Sequence, residues 1–172
     1  MKTTFTLVLA AILAGGAILA PAAAGAPGIS RQTAEKNLTD ALASEPSLGT
    51  FTRLIRAAGL EQMLRQGGPF TILAPNDAAF RMMPEADLER MLDPGNREDL
   101  ARLLLYHVIP GRVPLSSIST EEHVTLQGSR VVLNREGGIV WVGRAEIKKG
   151  DIEGGGGNVI HTVNMVLEPD VD

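Results

Sequence analysis

The sequence predicts a domain of the α+β class, with helices in the first half of the chain and strands in the second. Up to about residue 106, apolar residues recur at the three- and four-residue spacing of amphipathic helices. After Pro114, β-branched residues alternate with polar ones, and glycines separate the short runs. Because the two patterns are segregated along the chain, a series of β-α-β units is not predicted.

The first 24 residues are predicted to be a secretory signal peptide. A basic start at Lys2 precedes an apolar run at 5–19, and the small residues at 22–24 match a cleavage site. The alternative is an uncleaved N-terminal anchor, but the run is short for a span of about 20 apolar residues. Cleavage after Ala24 would leave 148 of the 172 residues and would change the formal charge from −4 to −5, because Lys2 is the one charged residue removed.

The composition argues against several classes of function. A net negative charge leaves no basic face of the kind that nucleic acids require. The chain has no cysteine, so disulfides, thiol catalysis and cysteine metal ligands are excluded. One tryptophan and one tyrosine are too few for a platform that stacks bases or sugars. A single domain stabilised by its apolar core is what remains.

Ordered structure is predicted to begin at Asn37, after a flexible lead-in at 25–36. Three short helices follow, with apolar stripes at 38–42, 48–58 and 60–64. Ser47 or Thr50 is predicted to supply the side-chain cap of the second helix, because both are residue types that accept hydrogen bonds from free backbone N–H groups.

A strand that runs straight into a helix is predicted at 70–80. The apolar run 70–74 ends at Pro75, which cannot extend a ladder of backbone hydrogen bonds. Asn76 or Asp77 then offers a side-chain oxygen to the first turn of the helix. Both residues are therefore predicted to cap and brace the fold, not to bind a ligand.

Two further helices and a short strand complete the first half. Pro84 favours a helix start, Asn96 is predicted to cap the next helix, and that helix leads into a strand at 108–109. The second half has five predicted strands, at 124–126, 130–134, 139–142, 145–147 and 159–167. Glycines mark turns between them, among them Gly150 and the run 154–157, which is predicted to be a flexible hairpin tip.

Three segments together resemble the fasciclin, or FAS1, domain family. Residues 70–80 (FTILAPNDAAF) are similar to its first signature, and residues 104–111 (LLYHVIPG) to its Tyr-His segment. Residues 157–169 (GNVIHTVNMVLEP) are similar to its second signature. The resemblance covers 37–169, leaves 170–172 as a C-terminal tail, and implies a helical layer packed on a β-wedge of two small sheets.

The resemblance also implies a function. Fasciclin domains serve in adhesion and protein binding without catalysis, so we expect no cofactor and a protein or cell-surface component as partner. The expected protein is secreted, periplasmic or attached to the cell surface, has no membrane span after cleavage, is a monomer or weak oligomer, and is bacterial. A second hypothesis is a periplasmic carrier that holds a small molecule or lipid in a cleft between helices and wedge. An enzyme is the third and least favoured hypothesis.

Four candidate binding residues follow from the resemblance. Asp151 and Ile152 match a pair proposed to read integrins in animal members, and Tyr106 and His107 match a proposed adhesion determinant. The alternative for the first pair is a turn aspartate followed by an inward-packed isoleucine. For His107 it is a buried imidazole that pins the junction between helix and strand.

The remaining polar motif residues are predicted to be structural. His161 is expected to be buried or half-buried in a strand, and His123 to lie exposed in a polar turn. Asn164 stands where family members commonly carry Asp, so the motif lacks that acidic group here. The three histidines lie far apart and lack helical ligand spacing, so no metal site is predicted. A Gly-x-Ser-x-Gly hydrolase motif is absent from the sequence, and no catalytic residue is predicted.

Overall fold

The computed structural model describes residues 37–169, and the predicted signal peptide, lead-in and tail lie outside them. The helices are α1 (Leu38–Ser44), α2 (Gly49–Ala58), α3 (Glu61–Gln66), α4 (Asp77–Arg81), α5 (Glu85–Leu92) and α6 (Arg97–Tyr106). The strands are β1 (Phe70–Pro75), β2 (Val108–Pro110), β3 (Glu121–Val124), β4 (Arg130–Glu136), β5 (Ile139–Val142), β6 (Ala145–Glu153) and β7 (Val159–Val163). The predicted α+β class is confirmed.

The strands are hydrogen-bonded in the order β2-β1-β7-β6-β5-β4-β3. Strand β6 takes part in two sheets, because Ala145 and Glu146 pair with β5 whereas residues from Ile147 onward pair with β7. One sheet therefore contains β2, β1, β7 and most of β6, and the other contains β3, β4, β5 and the start of β6. This arrangement agrees with the two-sheet wedge that the resemblance implies.

The three segments that carry the family resemblance are neighbours in the first sheet. Strand β1 lies between β2, with which it pairs antiparallel, and β7, with which it pairs parallel. In this register Ile72 lies opposite both Val108 and Ile160. We call β2, β1 and β7 the signature ribbon, since residues 104–111, 70–80 and 157–169 supply one strand each.

The ribbon separates two clusters of buried apolar side chains. Because successive residues of a strand point to opposite faces, Ile72 and Ile160 join the cluster beneath the helices, whereas Leu73 and Val163 join the cluster between the sheets. The helical cluster is completed chiefly by Leu38, Leu42, Leu48, Phe51, Leu54 and Leu104. The second cluster includes Ile109, Leu133, Val140, Val142 and Leu167. Full burial of one such side chain contributes about 1.5–3 kcal/mol.

Helix α2 is capped from a distance. The prediction that Ser47 or Thr50 would provide a side-chain cap is wrong, because the N-cap residue is Leu48, which makes no such bond. Instead the Thr50 N–H donates to the Asp77 carboxylate at 2.8 Å. Similarly, Asn96 precedes α6 but its amide nitrogen donates to Arg90 O at 2.9 Å, so it is not a side-chain cap. Within residues 37–169, no helix has the length and apolarity needed to cross a membrane.

Several predicted features of the second half have different positions in the structure. Strand β3 covers Glu121–Val124 rather than 124–126, and β7 ends at Val163 rather than at 167. Gly150 does not lie in a turn but within β6, where the register with β7 shifts twice between Ile147 and Ile152. Such bulges let one long strand bend through both sheets. His123 lies in β3 with a half-buried side chain, not in an exposed turn.

Candidate functional site

Asn76 and Asp77 join the starts of α4 and α2. The Ala79 N–H donates to Asn76 Oδ1 at 2.8 Å, which is the predicted cap of α4. The Asp77 carboxylate receives the Thr50 N–H, and the Asp77 N–H donates in turn to Ser47 O at 2.8 Å. These exchanges satisfy backbone groups that helix starts leave without partners. Both side chains are engaged by the fold itself.

His107 connects the end of α6 to the segment 165–169, which follows β7. Its side chain is 1% exposed, Nδ1–H donates to Leu103 O at 2.8 Å, and Nε2 accepts from the Leu167 N–H at 3.0 Å. The two partners assign this neutral tautomer. Burial lowers the pKa of His107 to about 4, although the Leu103 bond acts in the opposite direction. The ring therefore holds residues 165–169, which we call the C-terminal strap.

Tyr106 is also buried, with its ring edge-on to that of His107 and its hydroxyl donating to Arg130 O at 3.2 Å. The bond ties the end of α6 to the start of β4. A partner that docks on the outer surface of this structure would not reach the ring of His107 directly. The burial of both side chains instead matches the alternative stated for His107, a ring that pins the helix–strand junction.

His161 is confirmed as a core residue of β7. Its Nε2–H donates to Val113 O at 2.8 Å, and its Nδ1 accepts from the Asp151 N–H at 3.1 Å. Burial lowers the pKa of His161, while the Val113 bond and the Asp151 charge raise it by smaller amounts. The ring thus joins the segment after β2 to the bulged part of β6.

Asp151 and Ile152 lie in that bulge. Asp151 has a φ of 56°, and its exposed carboxylate accepts the Leu115 N–H at 2.9 Å. Ile152 is half-buried and packs against the helical cluster. The neighbouring Gly150 leaves no room for a side chain, since a Cβ there would lie 2.8 Å from His161 Nδ1. The geometry corresponds to the alternative reading, except that the aspartate sits in a bulged strand and not in a turn.

Asn164 accepts a backbone hydrogen bond with its amide oxygen, so no acidic group is needed at this position. The Glu146 N–H donates to Asn164 Oδ1 at 2.7 Å, and the Asn164 N–H donates to Glu146 O at 3.1 Å. An amide oxygen can accept this bond as a carboxylate would. The departure from the family pattern therefore leaves the junction between β7 and β6 hydrogen-bonded.

Asn158 is a structural residue that the sequence did not single out. It is buried, its Oδ1 accepts the Phe70 N–H at 2.7 Å, and its Nδ2 donates to Gly155 O at 2.7 Å. It therefore fastens the glycine turn at 154–157 to the start of β1. The sequence did offer a signal for this role. Asn158 follows a glycine run and precedes a strand, and asparagine commonly organises turns through its side chain.

A cavity of about 430 Å³ opens between the C-terminal strap and the second sheet. Its apolar lining includes Tyr106, Val131, Val142, Ala145, Met165 and Leu167, and its charged lining residues are Arg144 and Glu168. A smaller hollow of about 180 Å³ lies between α5 and α6. The larger cavity lies within the usual size range of small-molecule sites.

The outward face of the second sheet carries exposed apolar side chains. Val124, Val132 and Ile139 are 54%, 41% and 43% exposed, and Trp141 beside them is half-buried. The register places Val124 diagonal to Val132, while Trp141 shares its face with Ile139 two residues away. We call these four residues the apolar strip. The ion pair Lys148–Glu146 at 2.6 Å borders the strip, because Glu146 lies opposite Trp141. The ion pair Arg130–Glu122 at 3.0 Å instead crosses the strip between Val124 and Val132.

The buried histidines support hydrogen bonding more than proton transfer. His107 and His161 are each bonded at both ring nitrogens, and burial favours their neutral forms. In the part of the chain that the structure describes, no three His, Cys, Asp or Glu side chains are grouped as metal ligands would be. The accessible features are the cavity and the apolar strip.

Comparison with known proteins gives concordant results. The model of the Fasciclin domain family matches residues 46–169. Protein sll1483 of Synechocystis sp. (strain ATCC 27184 / PCC 6803 / Kazusa) is 29% identical over 98% of this chain and 99% of its own length. Human periostin is 32% identical over 79% of this chain, but this match spans only 16% of periostin.

A solved structure shares the fold. It is that of a FAS1 domain pair from the insect cell adhesion molecule Fasciclin I, with a TM-score of 0.67 and 13% sequence identity. The match covers 80% of this chain and 51% of the insect chain. At that identity the similarity concerns the fold alone.

Proposed function

The chain belongs to the fasciclin family, and from that premise we propose that it is a secreted or periplasmic, non-catalytic binding module. It attaches to a protein or cell-surface component through the apolar strip on its second sheet. The strip is the observation that carries the proposal, because it is a group of exposed apolar residues on one face of a sheet. Adhesion is also the role stated for the insect protein that shares this fold.

The strip has the composition of a protein-binding surface. Single exposed apolar residues are common, but several on one face form a patch of the kind that marks interaction sites. Trp141 is the only tryptophan of the chain, and tryptophan is enriched among the residues that dominate binding energies. The Lys148–Glu146 ion pair supplies a polar border beside Trp141, as is common at the rim of an interface.

The residues selected by the family resemblance have a supporting part in this proposal. Tyr106 and His107 hold the strap and the start of β4, and Ile152 packs inward. Asp151 is the one of the four with an exposed carboxylate. Its direct contribution is tested with Asp151→Asn, which keeps an oxygen to accept the Leu115 N–H but removes the charge.

The strip is tested by binding of residues 25–172 to cells and envelope proteins of the source organism. A double variant, Val132→Lys and Ile139→Lys, places charges in the patch. We expect it to bind at least about tenfold more weakly than wild type, because the partner would have to remove two charged groups from water. Met82→Lys is the matched control, because Met82 is 76% exposed and lies outside the strip.

The same preparation must show that each variant is folded, by its circular dichroism spectrum and urea midpoint. Wild-type binding by the folded double variant would overturn the strip as the docking surface. Loss of binding by Asp151→Asn alone would move the site to β6. Secretion is tested separately by sequencing the N-terminus of the exported protein: Gly25 is the expected first residue, and Met1 would contradict cleavage.

The cavity beneath the strap favours a second candidate function, that of a carrier for a small molecule or lipid. Its volume of about 430 Å³ and its mixture of apolar walls with two charged residues match the general description of a ligand site. The two functions use different surfaces, because none of the strip residues lines the cavity. They can therefore be tested independently.

A further inference from the structure

We propose that the cavity under the C-terminal strap binds a small amphipathic carboxylate, with its apolar part against the cavity wall and its head group at Arg144. The proposal rests on the second candidate function and names its ligand class. It is independent of the apolar strip, so failure of one leaves the other standing.

The apolar part of the site is formed by two walls. Val131, Val142 and Ala145 form one wall from the second sheet, and the strap contributes Met165 and Leu167 to the other. Leu167 is buried and is held in place by the bond between its N–H and His107. The cavity is therefore bounded by a fixed segment of chain. An apolar ligand group placed there would leave water, which is favourable in proportion to the area removed.

The charge at the site comes from Arg144. It lies between Val142 and Ala145, which are paired at the hairpin end of β5 and β6, and Gly143 before it has a φ of 57°. The side chain is exposed, and within residues 37–169 it makes no ion pair shorter than 4 Å. A guanidinium presents a planar fork of N–H donors that matches a carboxylate, so an available arginine beside an apolar wall selects this head group.

Glu168 is the other charged residue of the lining, and it forms no ion pair with Arg144. Its carboxylate disfavours a second negative charge on the ligand. The site is thus suited to a monoanion rather than to a phosphate or dicarboxylate. An acyl carboxylate of moderate length combines one negative charge with an apolar body of suitable shape.

The test uses octanoate as the probe and octanol as its uncharged counterpart, with residues 25–172 in isothermal titration calorimetry. Octanoate is expected to bind saturably and more tightly than octanol. Amide shifts in an NMR titration are expected at 143–145 and 165–167. Absence of saturable octanoate binding, shifts confined to other segments, or equal affinity for octanol would each overturn the proposal.

Two pairs of variants locate the interaction. Arg144→Gln should weaken octanoate binding about three- to fivefold, which is the range for an exposed ion pair, and leave octanol binding unchanged. Arg53→Gln is the control, since Arg53 is exposed and does not line the cavity. Met165→Glu adds a negative charge at the cavity and should also weaken octanoate binding, whereas Met82→Glu should not. If a variant and its control weakened octanoate binding equally, the cavity would not be the binding site.

Discussion

The signature ribbon and the second sheet differ in how their side chains are used. In the ribbon and directly before its strands, polar side chains are buried and bonded to backbone groups, as His107, Asn158 and His161 illustrate. In the second sheet one face is packed, while the other presents Val132 and Ile139 to solvent. None of the three family signatures contributes to β3, β4 or β5.

The three family motifs of this chain therefore consist mainly of residues that stabilise the fold. A signature made of buried strands and their hydrogen-bond partners identifies the fold wherever it occurs. Val124, Val132 and Ile139 are exposed, so the packing of the core places less constraint on them. The proposed docking surface, the apolar strip, lies outside all three motifs.

The largest expected contrast comes from truncating one apolar residue in each region. Leu73→Ala in the ribbon creates a cavity in a fully buried site and should lower the free energy of unfolding by about 4 kcal/mol. Val132→Ala in the exposed strip should change it by less than about 0.5 kcal/mol. Urea unfolding of both variants measures the contrast. Similar losses at the two positions would mean that the strip is part of the core.

The stability of the ribbon is also expected to depend on pH, because buried His107 is neutral in the folded protein. The folded pKa of His107, about 4, is below the ordinary histidine pKa of 6.5, so the unfolded chain binds the proton more tightly. Stability contributed by the neutral ring is present above pH 6.5 and is lost as pH falls through the folded pKa, with the loss complete only below pH 4. The linked loss is about 3 kcal/mol.

His107→Gln keeps one donor and one acceptor but does not titrate. Between pH 7 and pH 4 its unfolding free energy should fall by about 3 kcal/mol less than that of wild type. His161 is present in both proteins, so its contribution cancels in the difference. Parallel stability curves for the two proteins would show that the strap is not held by the neutral imidazole.

A smaller effect is expected at the brace between α4 and α2. Asp77→Ala removes the acceptor of the Thr50 N–H and should cost about 1 kcal/mol, the usual cost of losing a helix cap. Asp77→Asn should retain most of the stability that Asp77→Ala loses, because the asparagine amide oxygen can accept the same hydrogen bond. Asp87→Ala is the control on α5, where the nearest arginine nitrogen is 3.8 Å away and the pair is exposed. A loss at Asp87 equal to that at Asp77 would contradict the brace.

Local patterns were sufficient to predict much of this fold. The stripe at 48–58 matches α2, the apolar run at 70–74 matches β1, and the alternation at 139–142 matches β5, because in each case neighbouring residues determine both burial and backbone shape. The cap by Asn76 follows from the same short range. The cavity and the strip were not predicted, since each depends on strands brought together by the tertiary fold.

Features that depend on distant residues were missed for a physical reason. Asp77 caps a helix 27 positions earlier, and Asn158 bonds the backbone of Phe70 across 88 positions. Neither residue differs in type from one that serves its own turn. Gly150 suggested a turn, but its absent side chain instead makes room for Leu115 and His161 within a bulged strand. Only the packed structure shows whether a residue of these types serves its own turn or a distant part of the chain.

Strand β7 comes late in the chain but lies between β1 and β6 in the sheet. As the chain folds, the hairpins formed by β3, β4 and β5 can pair early, because these strands are neighbours in sequence. Strand β1 must wait for β7 before its second edge is paired, and such distant pairings are slow to form. Ile160 belongs to one apolar cluster and Val163 to the other, so neither cluster is complete until β7 has entered the sheet, and a single late pairing event finishes both halves of the core.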